Sequence, residues 1–476
     1  MPEMANTPIK FGTDGWRGLI ARDFTFANVE LCAQAYADYL KVVGLTARGV
    51  VIGYDTRFLS EDFAAATAEV LAGNGIKTLL SPSPVPTPVV SYAVMANGAS
   101  GAVVITASHN PPHWNGFKVK DSAGSSAGGE IIKAIENNIA RQNSIKKLGL
   151  KTAISQGFVE YRDFSPAYRE QLMRLVDLNK LKNAGFRLAV DAMFGAGAGY
   201  FKTLIGGENN TIVGINQERN PIFPGMRQPE PIEGNLGALL DRVRQGDIDL
   251  GIATDGDADR IGLVDENGHF LNQLQVYALL AFYLLEVRKQ RGALVKTITT
   301  TSMLYRLGEL YDVPVYETPV GFKYVAPAMR KHDAIIGGEE SGGYGFRGHV
   351  LERDAMVAGL YFLDFMAQTG KKPSELLVWL YEKVGEHYYD RVDATFSTDE
   401  GDKIKQRITD ALPDIILGVE VAGKDTYDGF RFRLADRSWL LIRFSGTEPL
   451  VRFYAEASSN EKVSQLLAFG RELAGV

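Results

Sequence analysis

The sequence predicts an α/β protein of several domains, of which three resemble one another and a fourth, smaller one is α+β. Its 476 residues correspond to three or four domains at about 100–200 residues each. Through the first two-thirds of the chain, short β-branched runs alternate with longer helical patterns, which is typical of βαβ units and a mainly parallel sheet. Towards the end the strand-like runs lie closer together, which indicates an antiparallel sheet with helices beside it.

The parallel part is predicted from six short apolar runs, each bounded by turn residues. These runs are residues 50–54, 103–105, 187–190, 250–253, 296–300 and 334–336. A helix is predicted at 62–72, and 276–285 is predicted as a buried helix because it has half of the about 20 residues that a membrane span needs. The theme of a strand that ends in a polar loop recurs in three blocks, and we therefore predict three related domains with mixed, mainly parallel sheets.

The last part of the chain has a different pattern. Strands are predicted at 388–395, 429–434, 439–444 and 450–457, and helices at 402–411 and 460–474. A further helix is predicted to begin near Pro373, because proline suits the first turn of a helix. Together these elements predict a small α+β domain with an antiparallel sheet.

The composition argues against several classes of protein. Hydrophobic residues make up 45% and charged residues 23%, which excludes a mainly disordered or fibrous chain. The 51 basic and 57 acidic residues give a net charge of −6, so neither nucleic acid nor an anionic membrane is expected as a partner. The single cysteine, Cys32, excludes an intrachain disulfide and a Cys-rich zinc site. Residues 1–10 lack the pattern of a signal peptide, and we expect a cytoplasmic protein.

Four loops carry candidate functional residues. The first is Thr-Ala-Ser-His-Asn-Pro at 106–111, directly after a predicted strand. Ligands of open α/β sheets bind beyond the carboxyl ends of strands. Ser108 is therefore a candidate nucleophile if a neighbouring group activates it, and a turn capped by serine and asparagine is the simpler alternative. Lys118, seven residues after Pro111, is a candidate proton donor or phosphate contact, or else a surface lysine.

The second loop carries three carboxylates at alternate positions, Asp255, Asp257 and Asp259. Oxygen ligands of this kind suit Mg²⁺ or Ca²⁺, and crowded carboxylates repel one another without a cation. A calcium loop is the main competitor because Glu266 occupies its twelfth position, but that loop needs glycine at the sixth, where Arg260 stands. A haloacid-type phosphatase would place threonine or valine at Asp259 and fits less well.

The third loop, at 337–343, is rich in glycine and presents Glu339 and Ser341. These side chains can accept and donate hydrogen bonds with sugar hydroxyls, and the glycines let a ligand approach the backbone. A flexible loop without a ligand is the alternative.

The fourth loop lies between two predicted strands and combines arginine, hydroxyl and glycine groups. An anion-binding nest and an ordinary hairpin turn with incidental polar residues are both consistent with this combination. The residues are Arg443, Ser445, Gly446 and Thr447, followed by Arg452.

Two other patterns are rejected as functional motifs. Residues 124–128 match the G-x-S-x-G pattern of serine hydrolases, but the segment is rich in small residues and unlike a strained turn. The glycines at 195–199 do not form G-x-G-x-x-G, and no G-x-x-x-x-G-K-[ST] segment exists. Nucleotide binding through either standard motif is therefore unsupported.

Taken in order, the four loops resemble the motifs of the α-D-phosphohexomutase superfamily. The resemblance covers essentially the whole chain from the F-G-T-D-G-W-R-G segment at 11–18 onwards, and its T-A-S-H-N-P and D-G-D-x-D-R motifs are highly specific. It implies three related α/β domains and a smaller C-terminal α+β domain around a central cleft. We expect domain I at 1–153, domain II at 154–265, domain III at 266–384 and domain IV at 385–476, each with one of the loops.

The resemblance also implies a role for each loop. Ser108 would carry a phosphoryl group, and a phosphoserine oxygen would join three aspartates in holding Mg²⁺: Asp255, Asp257 and Asp259. The reacting phosphate would be lined by Arg17, His109, Lys118 and Arg260. A second acid/base candidate is Lys323 in a Gly-Phe-Lys segment, and the sugar hydroxyls would be bound by Glu339 and Ser341. The non-reacting phosphate would be held by Arg443, Ser445, Gly446, Thr447 and Arg452.

The implied activity is that of a phosphoglucomutase with phosphomannomutase activity, working through a hexose 1,6-bisphosphate that turns end for end. Phosphoryl transfer depends on alignment and charge neutralisation, which these residue types supply. Glu340 in the third loop resembles the glucose-type members, and we expect one Mg²⁺ per chain, glucose 1,6-bisphosphate as the primer, and a monomer or homodimer. A glucose-1,6-bisphosphate synthase would use the same site and is the alternative; a sugar-phosphate-binding regulator and a calcium-binding module are weaker ones.

Overall fold

The structure, a computed structural model, describes residues 9–142, 144–397, 400–444 and 450–476. Within these residues the strands form four main sheets, each drawn from one consecutive part of the chain. Three sheets mix parallel and antiparallel strands, and the fourth is antiparallel throughout. The predicted fold class is confirmed.

The first sheet has six strands, with most of its parallel strands buried. Its elements are β1 (Trp16–Leu19), α1 (Phe26–Val42), β2 (Val50–Tyr54), α2 (Ser60–Gly73), β3 (Thr78–Leu80), α3 (Thr87–Ala96), β4 (Ala102–Ile105), β5 (Trp114–Lys120), α4 (Gly129–Arg141), α5 (Leu150–Ser155) and β6 (Val159–Tyr161). The strand order is β1-β5-β4-β2-β3-β6. Only β5 runs antiparallel to both of its neighbours, β4 and β1.

The second sheet has five strands in the order β11-β10-β9-β7-β8. Its elements are α6 (Ser165–Leu175), α7 (Leu178–Lys182), β7 (Arg187–Asp191), α8 (Tyr200–Ile205), β8 (Thr211–Ile215), α9 (Gly237–Val243), β9 (Leu250–Thr254), β10 (Ile261–Val264) and β11 (Phe270–Leu271). Strands β7, β8 and β9 are parallel, and β10 is antiparallel to β9 and β11.

The third sheet has four strands in the order β13-β12-β14-β15. Its elements are α10 (Gln273–Phe282), β12 (Leu294–Thr297), α11 (Met303–Tyr311), β13 (Val315–Thr318), α12 (Phe322–Lys331), β14 (Ile336–Gly338), β15 (Tyr344–Phe346), α13 (Ala355–Thr369) and α14 (Pro373–Val384). Helix α10 continues into a π-helical turn, Tyr283–Val287. As predicted, α14 begins at Pro373.

The fourth sheet is antiparallel and carries two helices. Its elements are β16 (Tyr388–Thr395), α15 (Gly401–Asp410), β17 (Ile415–Ile416), β18 (Val419–Asp425), β19 (Phe430–Leu434), β20 (Trp439–Phe444), β21 (Leu450–Ala457) and α16 (Asn460–Ala474). The order is β16-β21-β20-β19-β18-β17. Apolar residues of α15 and α16 pack on this sheet and give it a core of its own.

The first three sheets share one detail that positions the predicted loops. In each sheet a parallel strand is followed by a loop and then by its antiparallel neighbour, as β4 and β5, β9 and β10, or β14 and β15. These three connections are the loops that carry Ser108, the three aspartates and Glu339. The loops therefore occupy equivalent positions, as expected for related domains.

Two strands of the third sheet differ from their prediction. The strand predicted at 296–300 is β12, which ends at Thr297 because the amide and hydroxyl of Thr300 both turn back to the Thr297 carbonyl. The strand predicted at 334–336 begins only at Ile336, because the amide of Ala334 still bonds to the last turn of α12. The strands that the sequence analysis does not predict are β1, β3, β5, β6, β8, β10, β11, β13, β15, β17 and β18. Of these, β18 contains a β-bulge at 421–423 that breaks its alternation.

The largest core joins the three α/β sheets. It contains residues of β2, β7 and β12 and is centred on α10 and α13, whose residues are nearly all buried. The predicted buried helix at 276–285 is thereby confirmed. Among the described residues, none of the helices has the length and apolar character needed to cross a membrane. The fourth sheet meets the third through a smaller apolar cluster that includes Ile298 and Trp439.

Candidate active site

Ser108 follows β4 on a backbone that its surroundings hold in place. Its φ angle is +51°, in the left-handed region that residues other than glycine rarely adopt. The hydroxyl of Thr106 accepts a hydrogen bond from the Ser108 amide at 2.8 Å and donates one to Asp55 at 2.6 Å. The buried guanidinium of Arg57 donates to four backbone carbonyls, those of Ser108, Asn110, Pro111 and Trp114. Such a network is what keeps a strained backbone conformation in place.

The Ser108 hydroxyl faces the aspartate loop. Its Oγ donates to Oδ2 of Asp255 at 2.7 Å and lies 3.3 Å from Nδ1 of His109. Burial lowers the pKa of His109 well below its ordinary value, and the positive charges of Arg260 and Arg17 lower it further. The imidazole is therefore neutral near pH 7 and can act as a proton acceptor but not as an acid.

The three aspartates converge, as the sequence predicts. All three are buried, and one carboxylate oxygen of each lies within 4.8 Å of the others. Oδ1 of Asp255 accepts hydrogen bonds from the amides of Asp259 and Arg260, at 2.9 and 3.0 Å, which shapes the loop. The three carboxylates thus present a compact set of oxygen atoms.

This set fits a hard divalent cation. Oδ1 of Asp257 and Oδ1 of Asp259 have no hydrogen-bond partner among the described residues, although both are buried. Burial raises the pKa of Asp255 well above its ordinary value, and repulsion from Asp259 and Asp257 raises it further. An oxygen-binding dication would satisfy the two oxygen atoms and relieve the repulsion. The donor atoms are therefore those that Mg²⁺ prefers.

Gly256 lets the aspartate loop approach Ser108 closely. A Cβ atom at position 256 would lie 2.4 Å from the Ser108 carbonyl oxygen, closer than any real contact. Thr87, at the start of α3, also ties the two sheets together, since its amide donates to the Asp257 carbonyl at 2.9 Å and its hydroxyl to Oδ2 of Asp257 at 2.6 Å. The serine loop and the aspartate loop therefore form one unit.

Lys118 contacts three carboxylates of the site. Its Nζ lies 2.7 Å from Oδ2 of Asp14, 2.8 Å from Oδ2 of Asp257 and 3.4 Å from Oδ2 of Asp259. Burial alone would favour the neutral amine, but the three carboxylates raise the pKa of Lys118 above its ordinary value. Burial raises the pKa of Asp257, but the charge and hydrogen bond of Lys118, together with the hydrogen bond from Thr87, bring the pKa of that carboxyl below its ordinary value. Lys118 is therefore charged and able to donate a proton, not to accept one.

Arg353, just before α13, links the aspartate loop to the predicted sugar loop. Its Nη2 lies 2.8 Å from Oδ2 of Asp259, and its Nη1 lies 3.4 Å from Oε2 of Glu339. Burial raises the pKa of Glu339 although Arg353 opposes this. The backbones also meet, because the amide of Ile261 donates to the Gly342 carbonyl at 3.0 Å. Three of the four predicted loops therefore come together.

Arg17 and Arg260 lie at the edges of this charged cluster. Nη1 of Arg17, in β1, donates to Oδ1 of Asn110 in the serine loop. Nη1 of Arg260 lies 3.3 Å from Oε1 of Glu230, and its Nε lies 3.8 Å from Oδ1 of Asp259. The structure thus brings both predicted arginines to the region of the serine and the aspartates.

Lys323 and Glu340 have contacts outside the charged cluster around Ser108 and the aspartates. Lys323 lies half-buried in the first turn of α12 with its Nζ 5.3 Å from the ring centroid of Tyr324, and among the described residues no hydrogen bond or ion pair joins it to Ser108 or the aspartates. Glu340 faces the fourth sheet, where its Oε1 accepts a hydrogen bond from the Tyr389 hydroxyl at 2.9 Å and lies 3.5 Å from Nη1 of Arg391. The neighbouring Ser341 is half-buried.

The predicted phosphate loop is described only at its two edges. The positions that lie outside the described residues are Ser445, Gly446 and Thr447. Arg443 and Arg452 face each other as cross-strand partners of β20 and β21. Nε of Arg443 donates to Oδ1 of Asp428 at 3.0 Å, and Nε of Arg452 lies 3.5 Å from Oδ2 of Asp393. Cross-strand partners lie on one face of a sheet, so the two guanidinium groups share a face.

Several charged residues of the site are not found by the sequence analysis. They are Asp14, Arg57, Glu230, Glu352 and Arg353. Asp14 belongs to the segment at 11–18 and Arg57 follows a predicted strand, so position could have indicated both. Glu352 and Arg353 precede α13 without any motif, and only the packing of three sheets shows that they reach the site.

Comparison with known proteins identifies the same four units. Family models for phosphoglucomutase/phosphomannomutase match as alpha/beta/alpha domain I at residues 8–146, domain II at 166–268, domain III at 272–384 and the C-terminal domain at 397–472. A Thermococcus kodakarensis protein named phosphoglucomutase/phosphomannomutase is 32% identical over 476 aligned residues, covering 97% of this chain and 98% of that protein.

Two further proteins are similar over nearly their whole length. A Methanosphaera stadtmanae protein named "Probable phosphoglucosamine mutase" is 29% identical over 478 aligned residues, covering 98% of this chain and 99% of that protein. A crystal structure of a candidate phosphomannomutase from Thermus thermophilus has a TM-score of 0.86 and 39% identity, and covers 99% of this chain and 100% of that chain.

The fold and the site define an enzyme of the hexose-phosphate mutase type. Three mixed sheets and one antiparallel sheet present a buried serine, an aspartate triad and an arginine pair, and the family models match along most of the chain. The chain belongs to the phosphoglucomutase/phosphomannomutase family of the α-D-phosphohexomutase superfamily. Enzymes of this family are intramolecular phosphotransferases.

Proposed function

We propose that this enzyme interconverts glucose 1-phosphate and glucose 6-phosphate, with mannose phosphates as slower substrates, through a phosphoryl group carried on Ser108. The observation that carries the proposal is the 2.7 Å hydrogen bond from Ser108 to Asp255 within the buried aspartate triad. A phosphoryl group at this position would be repelled by three carboxylates unless a cation were bound among them. The pairing of serine and triad therefore suits metal-assisted phosphoryl transfer.

Asp255, Asp257 and Asp259 would hold one Mg²⁺. When bound, the ion supplies positive charge that neutralises the transferring phosphoryl group. Oδ1 of Asp257 and Oδ1 of Asp259 support this assignment, because they are buried and lack a hydrogen-bond partner among the described residues. A phosphoserine oxygen would complete the ligand set.

The protein's own residues move the protons. When phosphoserine gives its phosphoryl group to the sugar, the sugar hydroxyl loses a proton and Ser108 Oγ gains one. Charged Lys118 is suited to donate a proton to Ser108 Oγ and to take it back when the serine attacks the second phosphate. Neutral His109, 3.3 Å from Ser108 Oγ, is suited to accept the proton of the sugar hydroxyl and to return it to the sugar oxygen in that second half. Arg17 and Arg260 add positive charge around the phosphoryl group.

The remaining groups would hold the rest of the substrate. Glu339 and Ser341 would accept and donate hydrogen bonds with sugar hydroxyls, and Arg443 with Arg452 would bind the phosphate that is not reacting. The hexose 1,6-bisphosphate formed in the first half turns end for end before Ser108 takes back the other phosphoryl group. Both ends of the sugar therefore visit the arginine pair in turn.

A substrate panel tests the proposal. The purified enzyme, primed with glucose 1,6-bisphosphate and supplied with Mg²⁺, should convert glucose 1-phosphate fastest and mannose 1-phosphate at a lower rate. Because a relative is named for phosphoglucosamine, glucosamine 1-phosphate belongs in the panel, and a preference for it would overturn the proposed sugar. Near-normal turnover by Ser108→Ala would overturn the mechanism.

The alternative of a glucose-1,6-bisphosphate synthase draws no support from the family or from the names of these relatives. It is tested in the same preparation by supplying fructose 1,6-bisphosphate as the phosphoryl donor. Accumulation of glucose 1,6-bisphosphate faster than isomerisation would favour the synthase.

A further inference from the structure

We infer that Asp428 is a positioning residue that orients the guanidinium of Arg443 for the non-reacting phosphate. The inference rests on the proposed function, because it takes Arg443 to bind a phosphate of the substrate. Asp428 lies in the turn between β18 and β19, and neither the resemblance nor the loop motifs mark it.

Asp428 contacts Arg443 through Nε, the nitrogen that is not part of the Nη1/Nη2 fork of the guanidinium. Oδ1 of Asp428 accepts the Nε–H of Arg443 at 3.0 Å, and the two Nη groups of Arg443 have no partner among the described residues. Arginine binds phosphate most strongly with two parallel N–H groups. The aspartate therefore restricts the rotation of Arg443 and leaves the Nη groups available.

The second carboxylate oxygen of Asp428 is held by the backbone of the third sheet's unit. Its Oδ2 accepts a hydrogen bond from the amide of Val320 at 2.7 Å, in the segment between β13 and α12. From the same turn, the Tyr427 hydroxyl donates to Glu317 at the end of β13. One carboxylate thus joins the arginine of the fourth sheet to the backbone of the third.

The turn is built to bring Asp428 close to Arg443. Gly429 has a φ angle of +101°, which other residues rarely adopt. A Cβ atom there would lie 2.8 Å from the Ile442 carbonyl oxygen and 3.2 Å from Cβ of Arg443. The carboxylate and the guanidinium are each about four-fifths buried, at 19% and 18% exposed, so solvent screens their attraction less than on an open surface.

Loss of this contact should appear in substrate binding. An arginine side chain that is free to rotate must be immobilised when phosphate binds, at a cost that corresponds to about 3–10-fold in affinity. Because both ends of the sugar visit Arg443, the increase in KM should be the same for glucose 1-phosphate and glucose 6-phosphate. Catalysis at Ser108 should be little affected, so kcat should stay within about twofold of wild type.

A double-mutant cycle separates positioning from a general structural role. The variants are Asp428→Asn, Arg443→Ala and the two combined, with full kinetics for both substrates and a thermal melt of each protein. Asp436→Asn is the matched control, since Asp436 lies in the next turn of the same sheet and pairs with Lys462 away from Arg443. We expect Asp428→Asn to raise KM about 3–10-fold in wild type and less than about twofold in the Arg443→Ala background, with the control unchanged.

The outcomes distinguish the inference from the proposed function. If Arg443→Ala raises KM but Asp428→Asn does not, or if the two effects multiply, the inference is wrong and the phosphate role of Arg443 stands. If Arg443→Ala leaves KM unchanged for both substrates, the phosphate role fails and the inference fails with it.

Discussion

Replacing Lys118 with methionine should reveal how strongly the buried carboxylates of the site depend on a cation. Lys118 is 1% exposed and contacts Asp14, Asp257 and Asp259. Removing one partner of a buried ion pair costs about 3–5 kcal/mol. For a domain of about 150–250 residues each kcal/mol shifts the Tm by about 2–4 °C, so the first unfolding transition should fall by roughly 6–20 °C without metal.

The decrease in Tm caused by Lys118→Met should depend on pH. In the wild type, Lys118 holds the pKa of Asp257 below its ordinary value of 3.8 despite burial. A carboxyl whose pKa is lowered in the folded state stabilises the fold above the unfolded value, and that contribution is lost as the pH falls through the folded value. Methionine removes the contribution, so the difference in Tm should be large at about pH 7 and should shrink as the pH falls towards about 4 and below.

Thermal melts in excess chelator and in excess Mg²⁺ measure these effects. Lys118→Arg, which keeps the charge, is the control and should lose less than Lys118→Met. Because Mg²⁺ would neutralise two of the same carboxylates, Asp257 and Asp259, it should raise the Tm of Lys118→Met more than that of wild type. A methionine variant with the wild-type Tm in chelator near pH 7, or an equal loss for arginine and methionine, would refute the reasoning.

Four further predictions concern the loops. Gly256→Ala should lower kcat sharply because its Cβ would lie 2.4 Å from the Ser108 carbonyl, whereas Gly234→Ala, with no atom within 4 Å, should match wild type in steady-state kinetics. Asp257→Asn should raise the Mg²⁺ concentration for half-maximal activity by at least about 10-fold, and an unchanged Mg²⁺ titration would contradict its role as a ligand. Glu339→Gln should lower kcat/KM for glucose 1-phosphate by about 10–150-fold, the worth of hydrogen bonds to a charged group. In wild type, 3-deoxy and 4-deoxy sugars should be much poorer substrates than a 2-deoxy sugar, and equal rates for all three would show that this loop does not bind the hydroxyls.

Local patterns in the sequence predict much of the fold. In the fourth sheet the predicted ranges 388–395, 439–444 and 450–457 coincide with β16, β20 and β21, and 460–474 coincides with α16. These elements combine periodic apolar residues with clear turn residues at both ends. Strand β18 is missed because Gly423 and the bulge beside it interrupt the alternation, which only pairing with β19 restores.

The site likewise contains residues that the sequence predicts and residues that it does not. Ser108 and the aspartate triad belong to short linear motifs, so the sequence alone singles them out. Arg353 carries no such signal, because its partners Asp259 and Glu339 are fixed by the packing of the second sheet against the third. Pairings of this kind depend on contacts between residues far apart in the chain, and no local pattern reports them.

The most direct test of the central claim is to locate the phosphoryl group on the enzyme. The protein would be incubated with Mg²⁺ and radiolabelled glucose 1,6-bisphosphate, digested, and mapped by mass spectrometry. We predict that Ser108 carries the label, that unlabelled glucose 1-phosphate chases it into sugar phosphate, and that Ser108→Ala takes up none while retaining the wild-type fold by circular dichroism. Label on another residue that chases into sugar phosphate at the rate of turnover, or mutase turnover by Ser108→Ala without any label, would contradict the account.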